Sequence, residues 1–190
     1  MNNSNNPIII VGAGLAGLSV AVRLIHRGEK VIVYDNGINH SSIIAAGMIN
    51  PLVFRRMTKS WRVDECLASL NSFYVDLELF GGKKFHHPIQ IRRMFSSEQE
   101  QELWEQKQHL EAFKPYMAEL TEEDHLYNKA INEFGSGRVK NASYVDTSAF
   151  LEIAKSFVEA KAELRKETFD PSRISGNEYA GVHFKAVVFC

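Results

Sequence analysis

Apolar residues fall along this chain in two distinct periods. Pro7-Ile8-Ile9-Ile10-Val11 and Lys30-Val31-Ile32-Val33-Tyr34 are short, nearly continuous β-branched runs, the pattern of strands buried on both faces. Between them Leu15 to Arg27 carries Leu18, Val22 and Ile25 at helical spacing, and Gly28 stands where a helix C-cap is needed. Trp61 to Phe80 repeats the helical period through Leu67, Leu70, Phe73, Tyr74 and Leu77, and stops at Gly81-Gly82. Phe85 to Phe95 alternates instead, with Ile89, Ile91 and Phe95 on one face, and Pro88 marks an edge or a strand start.

The second half continues in the same way. Ser97-Glu98-Gln99-Glu100 reads as a capping box opening a charged helix with Leu103, Trp104, Leu110 and Phe113, and Thr121 to Asp124 starts a short helix. Gly135-Ser136-Gly137 predicts a turn before a strand from Arg138 to Val145. Asp146 or Thr147 caps a helix whose stripe is Phe150, Leu151, Ala154, Phe157 and Val158. Ala162 to Phe169 predicts a strand, Pro171 to Asn177 a turn, and Val182 to Cys190 a strongly β-type run. So α/β units flank a middle section, about 81–144, with a more antiparallel pattern.

Composition narrows the function classes. The 190 residues hold 22 Lys+Arg against 23 Asp+Glu, a net charge of -1, so no basic surplus is available to follow a phosphate backbone and nucleic acid is not expected as a partner. Two cysteines, Cys66 and Cys190, make neither a disulfide framework nor a zinc set, which suits a cytoplasmic protein. Met1 to Asn6 reads as a frayed polar tail. The apolar stretch Ile8 to Val22 lacks a basic flank and is broken by Gly12, Gly14 and Gly17, so neither a signal peptide nor a membrane span is expected.

The chemistry concentrates between the first two strands. Gly12-Ala13-Gly14-Leu15-Ala16-Gly17 is a GxGxxG turn with a strand before it and a helix after it, and Asp35 ends the next strand. That order fits a dinucleotide: Gly12 for the tight turn, Gly14 for close approach of a pyrophosphate, Gly17 for helix–strand packing. The helix N-terminus presents N–H groups to phosphate, and the Asp35 carboxylate can accept both adenosine ribose hydroxyls. An acid here favours FAD or NAD over NADP. A plain NAD domain predicts a second crossover helix and a third parallel strand soon after Asp35. Instead His40-Ser41-Ser42-Ile43-Ile44-Ala45-Ala46-Gly47-Met48-Ile49-Asn50-Pro51 is rich in turns and small residues. Hydroxyls at Ser41 and Ser42 suit phosphate oxygens, and Ala45, Ala46 and Gly47 leave room for a flat ring system.

Asp35, Ser41-Ser42 and Ala45-Ala46-Gly47-Met48 together resemble the D-amino-acid-oxidase-like superfamily of flavoenzymes, which includes glycine and sarcosine oxidases. The resemblance implies a Rossmann-like FAD-binding α/β domain, discontinuous over 1–80 and 145–190, interrupted by part of an antiparallel α+β substrate domain at 81–144. It implies FAD as cofactor, held by Gly12, Gly14, Leu15, Ala16, Gly17, Asp35, Asn36, Ser41, Ser42, Ala45, Ala46, Gly47 and Met48, with the backbone near Phe169 or Asp170 approaching the adenine. It implies oxidation of a C–N bond in a small amino acid or amine by hydride transfer to flavin. Enzymes of that family are longer, and their substrate ligands follow a strand like Phe184 to Phe189. An amino-terminal part, inactive alone and incomplete at its carboxyl end, is therefore expected, with no catalytic residue assigned. The alternatives are an FAD- or nucleotide-binding module without redox activity of its own and, with less support, an NAD-dependent dehydrogenase. No metal site is expected: His86-His87 point to opposite strand faces and read as exposed. Of Arg92 and Arg93 one must face away from solvent or along an edge; a solvated face is the favoured reading and a guanidinium aimed at a substrate carboxylate the alternative. Arg55, Arg56 and Lys59 form a basic cluster, either a surface patch or near the cofactor.

Overall fold

A computed structural model describes residues 5–38, 41–127 and 129–190. In chain order its elements are β1 (Ile8–Val11), α1 (Leu15–His26), β2 (Val31–Tyr34), β3 (Met48–Ile49), β4 (Leu52–Val53), β5 (Thr58–Lys59), α2 (Val63–Gly81), β6 (His86–Met94), α3 (Glu98–Gln108) and α4 (Glu122–His125). They continue with β7 (Ser136–Val145), α5 (Thr147–Lys161), β8 (Glu163–Arg165), β9 (Glu178–Tyr179), β10 (Val182–His183) and β11 (Ala186–Phe189). Two compact units result, one of Met1–Ala46, Val75–Phe85 and Asp146–Cys190, the other of Gly47–Tyr74 and His86–Val145. Residues 47–74, expected with the first unit, fall in the second because Met48 and Ile49 pair with Tyr144 and Ser143 of β7.

The first unit is built on a parallel sheet of order β11-β1-β2-β8. Ile10 and Val33 are fully buried, as are Leu18, Ala21 and Val22 of α1 and Ala154 and Val158 of α5, the helix that packs against α1. On the other side Ile9, Ile32, Tyr34, Phe169, Tyr179 and Phe184 form a second buried cluster. Strands lined on both sides this way explain the continuous apolar runs. α1 ends as expected at Gly28, φ +77°, with Gly28 N–H on the Ile25 carbonyl and Glu29 N–H on that of Leu24, a Schellman stop. Asp146, not Thr147, caps α5, its carboxylate accepting the Ala149 N–H at 3.0 Å.

Two expected strands are shorter than their patterns. Only Glu163–Arg165 of the 162–169 run pairs, because β2 ends at Tyr34 and offers β8 no further partner. The run from Val182 to Cys190 divides, since Val182 and His183 pair with β9 and Ala186–Phe189 pair with β1. Between them Phe184 turns its ring into the core.

The second unit carries an antiparallel sheet, β3-β7-β6, which leaves Pro88 on an edge strand. Trp104, fully buried, centres its core with Phe95, Met57, Leu52 and Met117, and its indole N–H donates to the Ala118 carbonyl at 3.0 Å. Ser97 caps α3, but the reciprocal half of the expected box is absent. Glu100 turns instead to Arg93 and to the Ser96 N–H. α3 ends at Gln108, so Leu110 and Phe113 lie in the turns beyond it.

Arg92 and Arg93 are half-buried rather than on an open solvated face. Arg92 pairs with the buried Asp124 and Arg93 with Glu100, because two adjacent guanidiniums on a sheet edge need carboxylates from the elements that cover it. His86 and His87 are half-buried rather than exposed, packed on Tyr74 and Tyr144 respectively. In the basic cluster Arg55 and Arg56 are exposed, whereas Lys59 pairs with Asp64.

Candidate cofactor site at the glycine turn

The parallel sheet sets the location. From β1 the chain passes to β2 on one side, while β11 lies on the other, so β1 marks a switch point at the carboxyl ends of the strands. Crevices of this kind are where open α/β sheets bind ligands. The glycine turn sits there. Gly12 has φ +104° and donates its N–H to the Tyr34 carbonyl at 2.7 Å. A Cβ on it would lie 2.7 Å from the Cys190 carbonyl oxygen. At Gly17 the equivalent atom would fall 1.8 Å from the Gly12 carbonyl oxygen, so the helix meets the turn backbone to backbone.

Gly14 occupies the N-cap position of α1 without a side-chain cap of its own. The Ser42 hydroxyl takes that place, accepting the Leu15 N–H at 3.1 Å and lying 2.8 Å from where a Gly14 Cβ would stand. An oxygen therefore already sits where the helix N-terminus favours one. Asp35, half-buried at the end of β2, accepts the Ala13 N–H at 3.1 Å through Oδ1 and the Gly37 N–H at 3.2 Å through Oδ2. Each carboxylate oxygen keeps a lone pair for a further donor.

These groups open on a cleft of about 360 Å³. Ala13, Gly14, Asp35, Gly37, Ser42 and Ile43 line one side, and Leu18 with Ser148, Leu151, Glu152 and Lys155 of α5 line the other. The Thr147 hydroxyl ties the start of α5 to the small-residue segment, donating to the Ala45 carbonyl at 3.2 Å.

A family model described as FAD dependent oxidoreductase matches residues 7–190. The chain belongs to this family of FAD-dependent oxidoreductases. Its fold is similar to glycine oxidase from Bacillus cereus ATCC 14579, with 22% identity and a TM-score of 0.68 over 96% of this chain and 55% of that one. Glycine oxidase from Geobacillus kaustophilus gives 21% identity and a TM-score of 0.73 over 96% and 54%. L-amino acid deaminase from Proteus myxofaciens gives 13% and 0.66 over 98% and 45%. The chain thus spans about half the length of these structures. The mixed α/β architecture with a parallel sheet matches the Rossmann-like FAD-binding fold of such neighbours.

The family's cofactor is FAD, and the cleft fits a dinucleotide. A Cβ at Gly14 would meet only the Ser42 side chain, the α1 N-terminus opens there, and Asp35 stands at the adjacent strand end.

Of the residues singled out from sequence, Gly12, Gly14, Leu15, Gly17, Asp35 and Ser42 meet at this turn. Ala16 is exposed on the first turn of α1, and Ser41 lies in the turn before Ser42. Ala45 and Ala46 run on from there. Asn36 accepts the Ile38 N–H and donates to the Thr168 hydroxyl at 3.4 Å, which brings the loop after β8 beside the end of β2. Phe169 follows in that loop, but its ring is buried, stacked on Tyr179 and edge-on to Tyr34. Gly47 and Met48 belong to the second unit, where the Gly47 carbonyl accepts the Val145 N–H and Met48 starts β3. The α5 residues that line the cleft are not among those singled out from sequence. A polar stripe at Ser148, Glu152 and Lys155 was available as a signal, masked by the apolar stripe on the same helix.

Proposed function

We propose that this chain is the cofactor-binding part of an FAD-dependent enzyme that oxidises the C–N bond of an amino acid or amine. One observation carries the reading: a GxGxxG turn at the sheet's switch point, with Asp35 and Ser42 bonded to its backbone, in a chain of the FAD-dependent family. The names of the structural neighbours, glycine oxidase and L-amino acid deaminase, support the substrate class. FAD, when bound, supplies the hydride acceptor for the carbon that bears the nitrogen.

The chain's own residues bind and orient. The backbone of Gly12 to Gly17 receives the diphosphate, with Ser42 turning its hydroxyl from acceptor to donor. Asp35 accepts the ribose hydroxyls, and Asn36 with the backbone at Phe169 borders the adenine. Ala45 and Ala46, exposed and carrying only a methyl group each, offer their backbone to the flavin end. Because the chain corresponds to about half of each neighbour, we propose further that these 190 residues alone do not turn over substrate.

Purified protein that shows flavin absorption, or a melting temperature raised by added FAD, supports the cofactor assignment. A colourless chain whose melting temperature FAD leaves unchanged overturns it. Turnover of an amino acid by the 190 residues alone would refute the inactivity proposal.

Asp35→Ala provides a finer test. Hydrogen bonds to a charged acceptor are worth roughly 1.5–3 kcal/mol, so FAD affinity is expected to fall about ten- to a hundredfold. The change also frees the Ala13 and Gly37 N–H groups, so the turn loosens as well. Fluorescence titration with FAD measures the loss, and an affinity equal to wild type removes Asp35 from the site.

A further inference from the structure

The second wall of the cleft comes from α5, and its chemistry differs from that of the first. Ser148, Leu151, Glu152 and Lys155 line it, a stripe at i, i+3, i+4 and i+7 that falls on one helix face. The Thr147–Ala45 hydrogen bond fixes the start of this helix to the small-residue segment. Helical side chains lean toward their N-terminus, so the long stem of Lys155 reaches back toward that fixed end. Lys155 is half-buried, and no ion pair joins it to a described residue.

The charge inventory of the cleft gives this lysine a task. Asp35 and Glu152 are acidic, and Lys155 is the one cation among the described lining residues. A diphosphate entering here brings further negative charge beside two carboxylates. The α1 N-terminus answers with only about half an elementary charge. A mobile ammonium on the opposite wall supplies the rest. We propose that Lys155 is a cofactor-binding residue whose ammonium neutralises the diphosphate of the bound dinucleotide, so that α5 selects diphosphate-bearing ligands over nucleosides. This rests on the FAD reading above.

The test compares the whole chain with Lys155→Met, which keeps the apolar stem and removes the charge, and with Lys155→Arg. Titrations use FAD, ADP and adenosine at about 0.05 M and about 0.5 M salt, where screening lengths differ severalfold. The expected result is FAD and ADP binding weakened roughly three- to tenfold in Lys155→Met at low salt. The gap narrows at high salt, adenosine is unaffected, and Lys155→Arg stays near wild type. The melting temperature without ligand reports whether each variant folds, and the neutral Lys155→Gln retains the comparison if Lys155→Met does not. Unchanged FAD and ADP affinity in Lys155→Met overturns the proposal, as does an equal loss for adenosine or a gap that persists at high salt. If Lys155→Met fails to fold, unchanged FAD and ADP affinity in Lys155→Gln overturns it equally. A wild-type chain that binds neither FAD nor ADP overturns the FAD reading itself and this inference with it.

Discussion

Gly17→Ala is expected to abolish FAD binding and to destabilise the protein by roughly 3 kcal/mol or more. The added Cβ would lie 1.8 Å from the carbonyl oxygen of Gly12 and 3.0 Å from its carbon. Both are backbone atoms, so no rotamer change makes room. Gly12 is held in turn by its N–H on the Tyr34 carbonyl and by the Cys190 carbonyl beside it. Relief therefore requires α1 to back away from β1 or the turn to leave β2. Either movement takes the Leu15 N–H from Ser42 and the Ala13 N–H from Asp35. Gly28→Ala is the control. Gly28 has φ +77° with nothing within 4 Å of an added Cβ, so the cost is about 1–2 kcal/mol of left-handed strain and FAD binding survives. Urea unfolding and FAD titration on both variants check the contrast. A Gly17→Ala chain that binds FAD like wild type would show that the turn yields without losing the site.

The same contrast explains what was legible in the sequence. The strand–turn–helix–strand unit could be read because its constraints are local. Only glycine suits Gly12 at φ +104° and the backbone approach at Gly17, and the acid must follow directly on the second strand. The cleft's second wall could not be read, because Ser148 to Lys155 share a cleft with Asp35 only once α5 has packed on α1. Periodicity shows which face of α5 is apolar, not which cleft its polar face borders. Strand ends failed for a related reason. Leu164 pairs with Val33 and Arg165 with Tyr34, but the chain after Arg165 has no partner in β2, and a partner's length is not written in the segment itself. The partners of Arg92 and Arg93 are not legible either, because their carboxylates arrive from α4 and α3, elements separate from the strand that carries them.

Asp124→Asn is expected to destabilise the second unit by about 3–5 kcal/mol at neutral pH, the usual cost of removing one partner from a buried ion pair. The Asp124 side chain is 1% exposed. It accepts Arg92 Nη1 at 2.6 Å and Arg138 Nε at 3.0 Å on Oδ1, and the Thr121 N–H and hydroxyl at 3.0 and 2.9 Å on Oδ2. Every neighbour donates. An asparagine must turn its own NH2 toward one of these pairs, which leaves donors facing donors and a guanidinium without its counter-charge. Burial pushes the Asp124 carboxyl up, but the hydrogen bonds from Thr121, Arg138 and Arg92 outweigh it, and the net value lies below the ordinary carboxylate range. A lowered folded value means the stabilisation is complete above the unfolded carboxyl value of about 3.9 and is lost as pH falls through the folded one. Wild type and Asp124→Asn should therefore differ widely in urea unfolding at pH 7 and converge in acid below the unfolded value. A difference that stayed constant down to pH 2 would mean that the asparagine acts through shape, and that the charge on Asp124 is not what anchors α4 to β6 and β7.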